Sequence, residues 1–337
     1  MGAMSKLKVS IMGGGSWGTT VASLVSRNAP ATLWARNTAT VEEINTHHTN
    51  DTYLPGAALP EKLKATNSIS DAASSADVII MGIPSHNFRS VLEEVKQHIR
   101  PWVPIITLTK GLELETGMRM TEVINEVLPG HPAGVLTGPN LAREIMAGQA
   151  AASVIAMEDP VIMKELQTLF NSGLFRVYTN NDVIGCELGG VLKNIIAIAV
   201  GMGDGQGAGD NTRSALITRG LAEVTRLGVA MGGRAETFAG LAGMGDMIAT
   251  CTSDQSRNRH VGVELGKGRK MQEIIDEMLM VAEGAKSAPA VIALAEKYNI
   301  EMPIASDVYR VVSGESSALR AFKGLLRVTA GAESEPG

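Results

Sequence analysis

Cysteine is scarce in this chain: Cys186 and Cys251 are the two it has in 337 residues. Two cysteines cannot build a disulfide framework, and their scarcity points to a reducing compartment. The six histidines contain no His-x-x-x-His pair, and the cysteines are far apart in sequence. No metal site of the usual spacing follows, so we expect no metal. Aromatic residues make up only 4% of the chain, which leaves little with which to stack on bases. No basic block offsets the net charge of −5, and a nucleic-acid partner is not expected. No run of about 20 uninterrupted apolar residues occurs, which argues against integral membrane association. No charged, apolar and cleavable leader pattern is present, and Lys6 stands where a myristoylation signal needs Ser or Thr. A cytoplasmic location is the expectation.

What remains is a globular composition, 45% apolar and 19% charged, and one strong local pattern. Lys8-Val9-Ser10-Ile11-Met12 is strand-prone and leads into Gly13-Gly14-Gly15-Ser16-Trp17-Gly18, after which Thr19 to Ser26 has helical character. Strand, Gly-x-Gly-x-x-Gly and helix together form a dinucleotide-binding β-turn-α unit. Gly13 allows the tight turn, Gly15 lets backbone N–H groups approach a pyrophosphate, and Gly18 lets helix pack on strand. The next strand ends at Arg36. An Asp or Glu at that place would bind a ribose 2′-hydroxyl, whereas a guanidinium attracts a 2′-phosphate. The expected cofactor is therefore NAD(P)H, with NADP tolerated or preferred, rather than a flavin.

The length suits two domains. Strand-like runs at Lys8–Met12, Ala31–Trp34, Val78–Met81, Ile105–Leu108, Val135–Leu136, Ala152–Ala156 and Phe175–Tyr178 alternate with helical spacing at Phe88–His98 and Thr121–Val127. That alternation predicts an α/β fold, a Rossmann-type and mostly parallel sheet over residues 4–181. Beyond Asp182 the texture becomes helical, with periodicity over Asn211–Leu227, Met271–Leu279 and Ala288–Tyr298. An all-α domain is expected over 182–328, followed by a disordered tail at 329–337.

Four places offer chemistry. Lys193 lies in Leu188-Gly189-Gly190-Val191-Leu192-Lys193-Asn194-Ile195-Ile196, apolar on nearly every face of the implied helix. A buried lysine suits proton transfer near neutrality, although it can also snorkel to the surface. Gly189 and Gly190 mark close backbone approach. Lys110, in Thr109-Lys110-Gly111, follows a strand, where open α/β sheets bind ligands. Asp246 sits in apolar, glycine-rich surroundings and needs either a lysine partner or a capping role. Ser256-Arg257-Asn258 is a donor cluster suited to a phosphate, or else an ordinary helix start.

These blocks, taken with Tyr53-Leu54-Pro55-Gly56, Pro84-Ser85-His86, Gly138-Pro139-Asn140 and Val281-Ala282-Glu283-Gly284, run in register nearly end to end. The chain resembles the bacterial-type NAD(P)-dependent sn-glycerol-3-phosphate dehydrogenases. The resemblance implies a homodimer that reduces dihydroxyacetone phosphate to sn-glycerol 3-phosphate and feeds glycerophospholipid synthesis. It implies that Lys193 is the proton donor and acceptor, with Lys110 and Asp246 beside it. Implied substrate contacts are Lys110, Gly138, Asn140, Lys193, Asp246, Ser256, Arg257 and Asn258; Asn140 replaces a more usual Thr or Ser. Implied cofactor contacts are Gly13, Gly15, Ser16, Trp17, Gly18, Arg36, Lys110, Ala142, Arg257, Val281 and Glu283. Two other readings stay open. One is a Rossmann-type dehydrogenase of another small phosphorylated or carboxylated substrate, of the 3-hydroxyacyl or 6-phosphogluconate kind. The other is a non-catalytic NAD(P)H sensor, against which the intact Lys110, Lys193 and Asp246 count.

Overall fold

Val9–Met12 (β1) is buried at all four positions, as a strand covered on both faces requires. It pairs in parallel with Ala31–Trp34 (β2) on one side. Lys64–Thr66 (β3) extends that side in parallel from β2. On the other side β1 pairs in parallel with Val78–Met81 (β4), which is equally buried. Ile105–Thr107 (β5), Ala133–Thr137 (β6), Ala151–Met157 (β7) and Phe175–Asn180 (β8) complete an eight-stranded sheet of order β3-β2-β1-β4-β5-β6-β7-β8. The order reverses direction at β1, the point at which open α/β sheets bind ligands. One pairing, β6 with β7, is antiparallel.

The computed structural model describes residues 7–278 and 282–325. The expectations at residues 4–6, Leu279, Val281 and the tail at 329–337 fall outside them. Residues up to Thr109 together with Met120–Val183 form one compact unit, and Lys110–Arg119 with the chain from Ile184 onward forms a second. The ten-residue segment Lys110–Arg119 departs from the continuous first domain that the sequence predicts.

In the first unit the sheet carries helices Ser16–Ser26 (α1), Thr38–His47 (α2), Ile69–Ala73 (α3), Ser85–Lys96 (α4), Met120–Val127 (α5), Ala142–Met146 (α6) and Pro160–Phe170 (α7). Its core joins β1, β2 and β4 residues such as Ile11, Leu33 and Ile80 to Val21 and Val25 of α1. Helix α2 and strand β3 escape the periodicity argument. The helix buries only Thr40, Val41 and Ile44, and the strand is three residues long with an exposed end.

The second unit is helical among its described residues: Val183–Gly205 (α8), Asp210–Ala230 (α9), Ala235–Phe238 (α10), Asp246–Thr252 (α11), Arg257–Gly266 (α12), Met271–Asp276 (α13), Glu283–Lys297 (α14), Pro303–Val312 (α15) and Ala318–Leu325 (α16). A π-helical turn, Leu241–Gly245, precedes α11. By length and composition α8 could cross a membrane, but 94% of its most apolar window is buried inside the protein. A helix apolar all round is a core helix when protein covers it. Glu187 and Lys193, charged residues within it, are buried too.

Glycines let α8 and α12 meet backbone to backbone. A Cβ on Gly201 would stand 2.1 Å from the Arg259 carbonyl oxygen, and one on Gly262 2.2 Å from that of Ile198. Gly205 and Gly266 repeat the contact one turn on. This close crossing sets the start of α12 beside the middle of α8.

Candidate active site

Lys193 projects from the third turn of α8, and Asp246 opens α11. Lys193 Nζ lies 2.8 Å from Asp246 Oδ1, while Lys110 Nζ lies 2.6 Å from Asp246 Oδ2. One carboxylate thus holds two ammonium groups, with side-chain exposures of 6% for Lys193, 3% for Asp246 and 17% for Lys110. Buried charges persist only when paired in this way. Lys193 Nζ also donates to Thr250 Oγ1, which in turn donates to the Asp246 carbonyl. Asp246 does not cap its helix: the N-cap is Gly245, and the carboxylate is engaged by the lysines.

The approach of α11 to α8 rests on Gly189. A Cβ there would stand 2.6 Å from the Ala242 carbonyl oxygen in the π-helical turn. Lys110 is fixed from its other end, where Asn194 Nδ2 donates to its carbonyl at 3.1 Å. Burial pulls the Lys110 ammonium down to a pKa of about 8. The Asp246 carboxylate opposes that fall, while Lys193 and Arg257 add to it. The result is two cations about one anion, in a setting that favours a further negative charge.

The Ser256-Arg257-Asn258 cluster divides. Ser256 Oγ accepts from Arg259 N at 3.2 Å and caps α12. Asn258 donates to Asn194 Oδ1 at 3.0 Å and accepts from Gly284 N at 3.0 Å. Asn258 thus ties α12 to α8 and α14, while Ser256 serves the start of its own helix. Arg257, at the first position of α12, is exposed, and the Glu283 carboxylate acts on it electrostatically. Neighbouring Arg259 is committed to Asp204 and Asp254 at 2.8 and 2.6 Å.

In the first unit the glycine turn has the form a pyrophosphate needs. Gly13 has φ +123°, and a Cβ on it would stand 2.4 Å from the Gly82 carbonyl oxygen. Gly18 packs against the Gly13 carbonyl, where a Cβ would stand at 2.1 Å. Gly15, the N-cap of α1, has open space where a Cβ would be, and the first turn carries no acidic residue. A dinucleotide fits here: an open glycine face beside a helix N-terminus suits its pyrophosphate. Ser16 Oγ donates to the Tyr53 carbonyl at 2.7 Å. Trp17 packs edge-on against Phe175, with Nε1 buried and unbonded. Arg36 is exposed just past β2.

Gly138 follows β6 at φ +127°. Asn140 Oδ1 accepts from Ser153 Oγ at 2.5 Å, while its Nδ2 is buried without a partner. Ala142 begins α6. Among the described residues no group of three His, Cys, Asp or Glu side chains could hold a metal ion. Both cysteines are free and buried, and burial pushes the Cys251 thiol up to about 12.

Residues 8–163 match the model of the NAD-dependent glycerol-3-phosphate dehydrogenase N-terminus, and residues 182–323 that of the C-terminus. A glycerol-3-phosphate dehydrogenase (NAD(P)+) of Sphingopyxis alaskensis is 68% identical over 98% of this chain and 100% of its own. The chain belongs to the NAD-dependent glycerol-3-phosphate dehydrogenase family. It is an NAD(P)-dependent oxidoreductase. A relative of the same name from Mycobacterium tuberculosis is 52% identical over 97% of this chain and 96% of its own. The crystal structure of glycerol-3-phosphate dehydrogenase from Coxiella burnetii superposes with a TM-score of 0.92 at 38% identity. That match covers 96% of this chain and 99% of the other.

Four participants lie outside the sequence-derived set. Thr250 stands four residues after Asp246 on one helix, a spacing that places two side chains on one face and could have found it. Asn194 follows Lys193 directly. The buried pair Arg119 and Glu187 has no sequence signal, because it joins residues 68 apart.

Proposed function

We propose that this enzyme reduces dihydroxyacetone phosphate to sn-glycerol 3-phosphate, reversibly, with Lys193 as its proton donor and acceptor. The observation that carries the reading is the Asp246 carboxylate shared by Lys110 and Lys193. The nicotinamide, when bound, supplies the hydride in reduction and takes it back in oxidation. Lys193 delivers a proton from Nζ to the carbonyl oxygen as that oxygen gains charge, and in reverse the neutral amine accepts it. Thr250 and Asp246 aim the Nζ, each fixed by a hydrogen bond or ion pair. Lys110, as ammonium, stabilises the developing oxyanion.

Arg257 at the start of α12 anchors the phosphate of the substrate, forking onto two of its oxygens. Ser256 and Asn258 act chiefly by fixing that helix start. The Gly13–Gly18 turn would hold the cofactor, and Arg36 would accept the extra phosphate of NADP. Trp17, Gly138, Asn140, Ala142, Val281 and Glu283 complete the contacts that the family resemblance assigns. The product feeds glycerophospholipid synthesis, the working form is a homodimer, and free buried cysteines fit a reducing cytoplasm.

The test is spectrophotometric. Purified protein given dihydroxyacetone phosphate should oxidise both NADH and NADPH, while the unphosphorylated ketone reacts far more slowly. Failure to oxidise either cofactor would reject the reading.

A further inference from the structure

Lys110 begins a segment whose neighbours in sequence belong elsewhere. Strand β5 before it and helix α5 after it are in the first unit, whereas Lys110–Arg119 groups with the second. The segment folds back on itself: Leu112 and Arg119 form an antiparallel bridge. Glu113 N donates to the Met118 carbonyl at 3.0 Å, and Gly117 N to the Glu113 carbonyl at 2.8 Å. The strand entering this hairpin carries Lys110, and the strand leaving it carries Arg119.

The hairpin is tied to α8 at two levels. Asn194, beside Lys193, holds the Lys110 carbonyl. At the other level Arg119 Nη1 donates to Glu187 Oε2 at 2.6 Å, with Arg119 9% and Glu187 4% exposed. Leu112, fully buried, joins the apolar core of the second unit between the two. Six residues separate Glu187 from Lys193 on α8, about 9 Å of helix axis. The ion pair and the reacting lysine therefore share one rigid support.

We propose that Arg119 and Glu187 are positioning residues which, through the Leu112–Arg119 bridge, hold the Lys110 ammonium in register with Asp246 and Lys193. The inference rests on the proposed role of Lys110 in oxyanion stabilisation. Their ion pair is with each other and not with the reacting groups. A buried ion pair is weak evidence of stability, since apolar replacement of both partners is often neutral or better. What an apolar pair cannot supply is direction: a charge-assisted hydrogen bond fixes register, and packing alone lets the hairpin slide.

The deciding variant is the double replacement Arg119→Met with Glu187→Leu, which removes both charges of the pair together. It should fold with a wild-type unfolding temperature and bind NADH as before, yet lose about ten- to hundredfold in kcat. Asp246, Lys193 and Arg257, which act on Lys110 electrostatically, are all unchanged in this variant. Its Lys110 should hydrate, so its titration, followed by the 13Cε resonance, should move upward from the wild-type value. Arg119→Lys, which retains a charge for Glu187, should recover part of the kcat. A stable double variant with wild-type kcat and an unmoved Lys110 titration would overturn the proposal. If the double variant is instead unstable, the Lys110 resonance of folded Glu187→Gln, which removes the charge from the hydrogen bond, decides, and an unmoved titration rejects the idea. Absence of turnover in the wild type would reject the reaction, and the Lys110 resonance would still judge the positioning.

Discussion

Asp246 Oδ1 stands 2.8 Å from Lys193 Nζ, with both side chains almost entirely withdrawn from solvent. The pair is oriented from a second side, because Thr250 accepts from the same Nζ. A proton donor held in this way has little freedom to lose on reaching the transition state. Lys193→Ala should lower kcat by about 10²–10⁴, and binding of NADH, measured by fluorescence, should stay near wild type. Asp246 retains Lys110 as partner in that variant, so its stability should fall less than in Asp246→Ala, which strands two buried cations. Near-normal kcat in Lys193→Ala would remove the lysine from its role.

Lys110 predicts a pH limb. Burial lowers its pKa to about 8, so the ammonium that stabilises an oxyanion is lost as pH rises through that value. In the reducing direction kcat/KM should fall above pH about 8, and Lys110→Gln should lack this limb at a lower plateau. Stability follows the opposite sense. The folded pKa lies below the ordinary 10.5, so the contribution is present above 10.5 and lost as pH falls through about 8. Wild-type stability should carry this upward slope between the two values, and Lys110→Met should flatten it in denaturant titrations. An alkaline limb that survives in Lys110→Gln would assign it to another group.

The backbone of the site depends on a missing methyl group. A Cβ on Gly189 would stand 2.6 Å from the Ala242 carbonyl oxygen and 3.2 Å from its carbon. These are backbone atoms of the π-helical turn and cannot swing aside as a flexible side chain does. Gly189→Ala should therefore push that turn, and Asp246 after it, away from α8. We expect a stability loss of about 1–3 kcal/mol with a fall in kcat larger than any change in the KM for NADH. A variant of wild-type kcat would show that the turn yields without moving Asp246.

The sequence made part of this site readable. Gly13, Gly15 and Gly18 were interpretable because each meets a different steric demand, and a strand and a helix flank them in order. Lys193 stood out because a lysine among Leu, Ile and Val on one helix must be buried or must snorkel. Asp246 was readable as needing a partner, but its bond to two lysines depends on residues 136 and 53 positions away. Ser256 illustrates the limit: a donor beside an arginine looks like an anion site, and the same residue type caps helices. The structure shows its oxygen accepting from Arg259 N three residues on, as an N-cap does. The affiliation of Lys110–Arg119 was hidden for a similar reason, since Leu112 and Arg119 find their partners on a helix distant in sequence.

Glu223 of α9 couples pH to the second unit away from the lysines. It is 2% exposed and accepts from Ile304 N at 2.8 Å and Ala305 N at 3.2 Å, capping α15. Burial raises its pKa from 4.5 to about 7, against the lowering effect of those N–H groups and of Arg226 and Arg219. A raised folded pKa means a contribution fully present below 4.5 and lost as pH rises through about 7. That difference corresponds to roughly 3 kcal/mol at full extent. Glu223→Gln keeps one acceptor oxygen and cannot ionise, so its stability should vary less across this window. A wild-type slope retained in Glu223→Gln would place the titration elsewhere.

Arg36 bears on the choice between cofactors. Around it the polar groups are committed: Asn37 Oδ1 accepts from Ala39 N and caps α2, and Thr38 Oγ1 accepts from Asn67 Nδ2. The exposed charge at the end of β2 is therefore that of Arg36. A guanidinium there attracts a 2′-phosphate, and a carboxylate would repel it while accepting from a 2′-hydroxyl. Arg36→Asp should lower the ratio of kcat/KM for NADPH over NADH by more than about tenfold, or roughly 1.4 kcal/mol. Because the side chain is exposed, the unfolding temperature and the kcat with NADH should hold. The effect should sit in the KM for NADPH and weaken at high salt, as an exposed charge interaction does. An unchanged ratio at low salt would show that the 2′-phosphate is read by another residue.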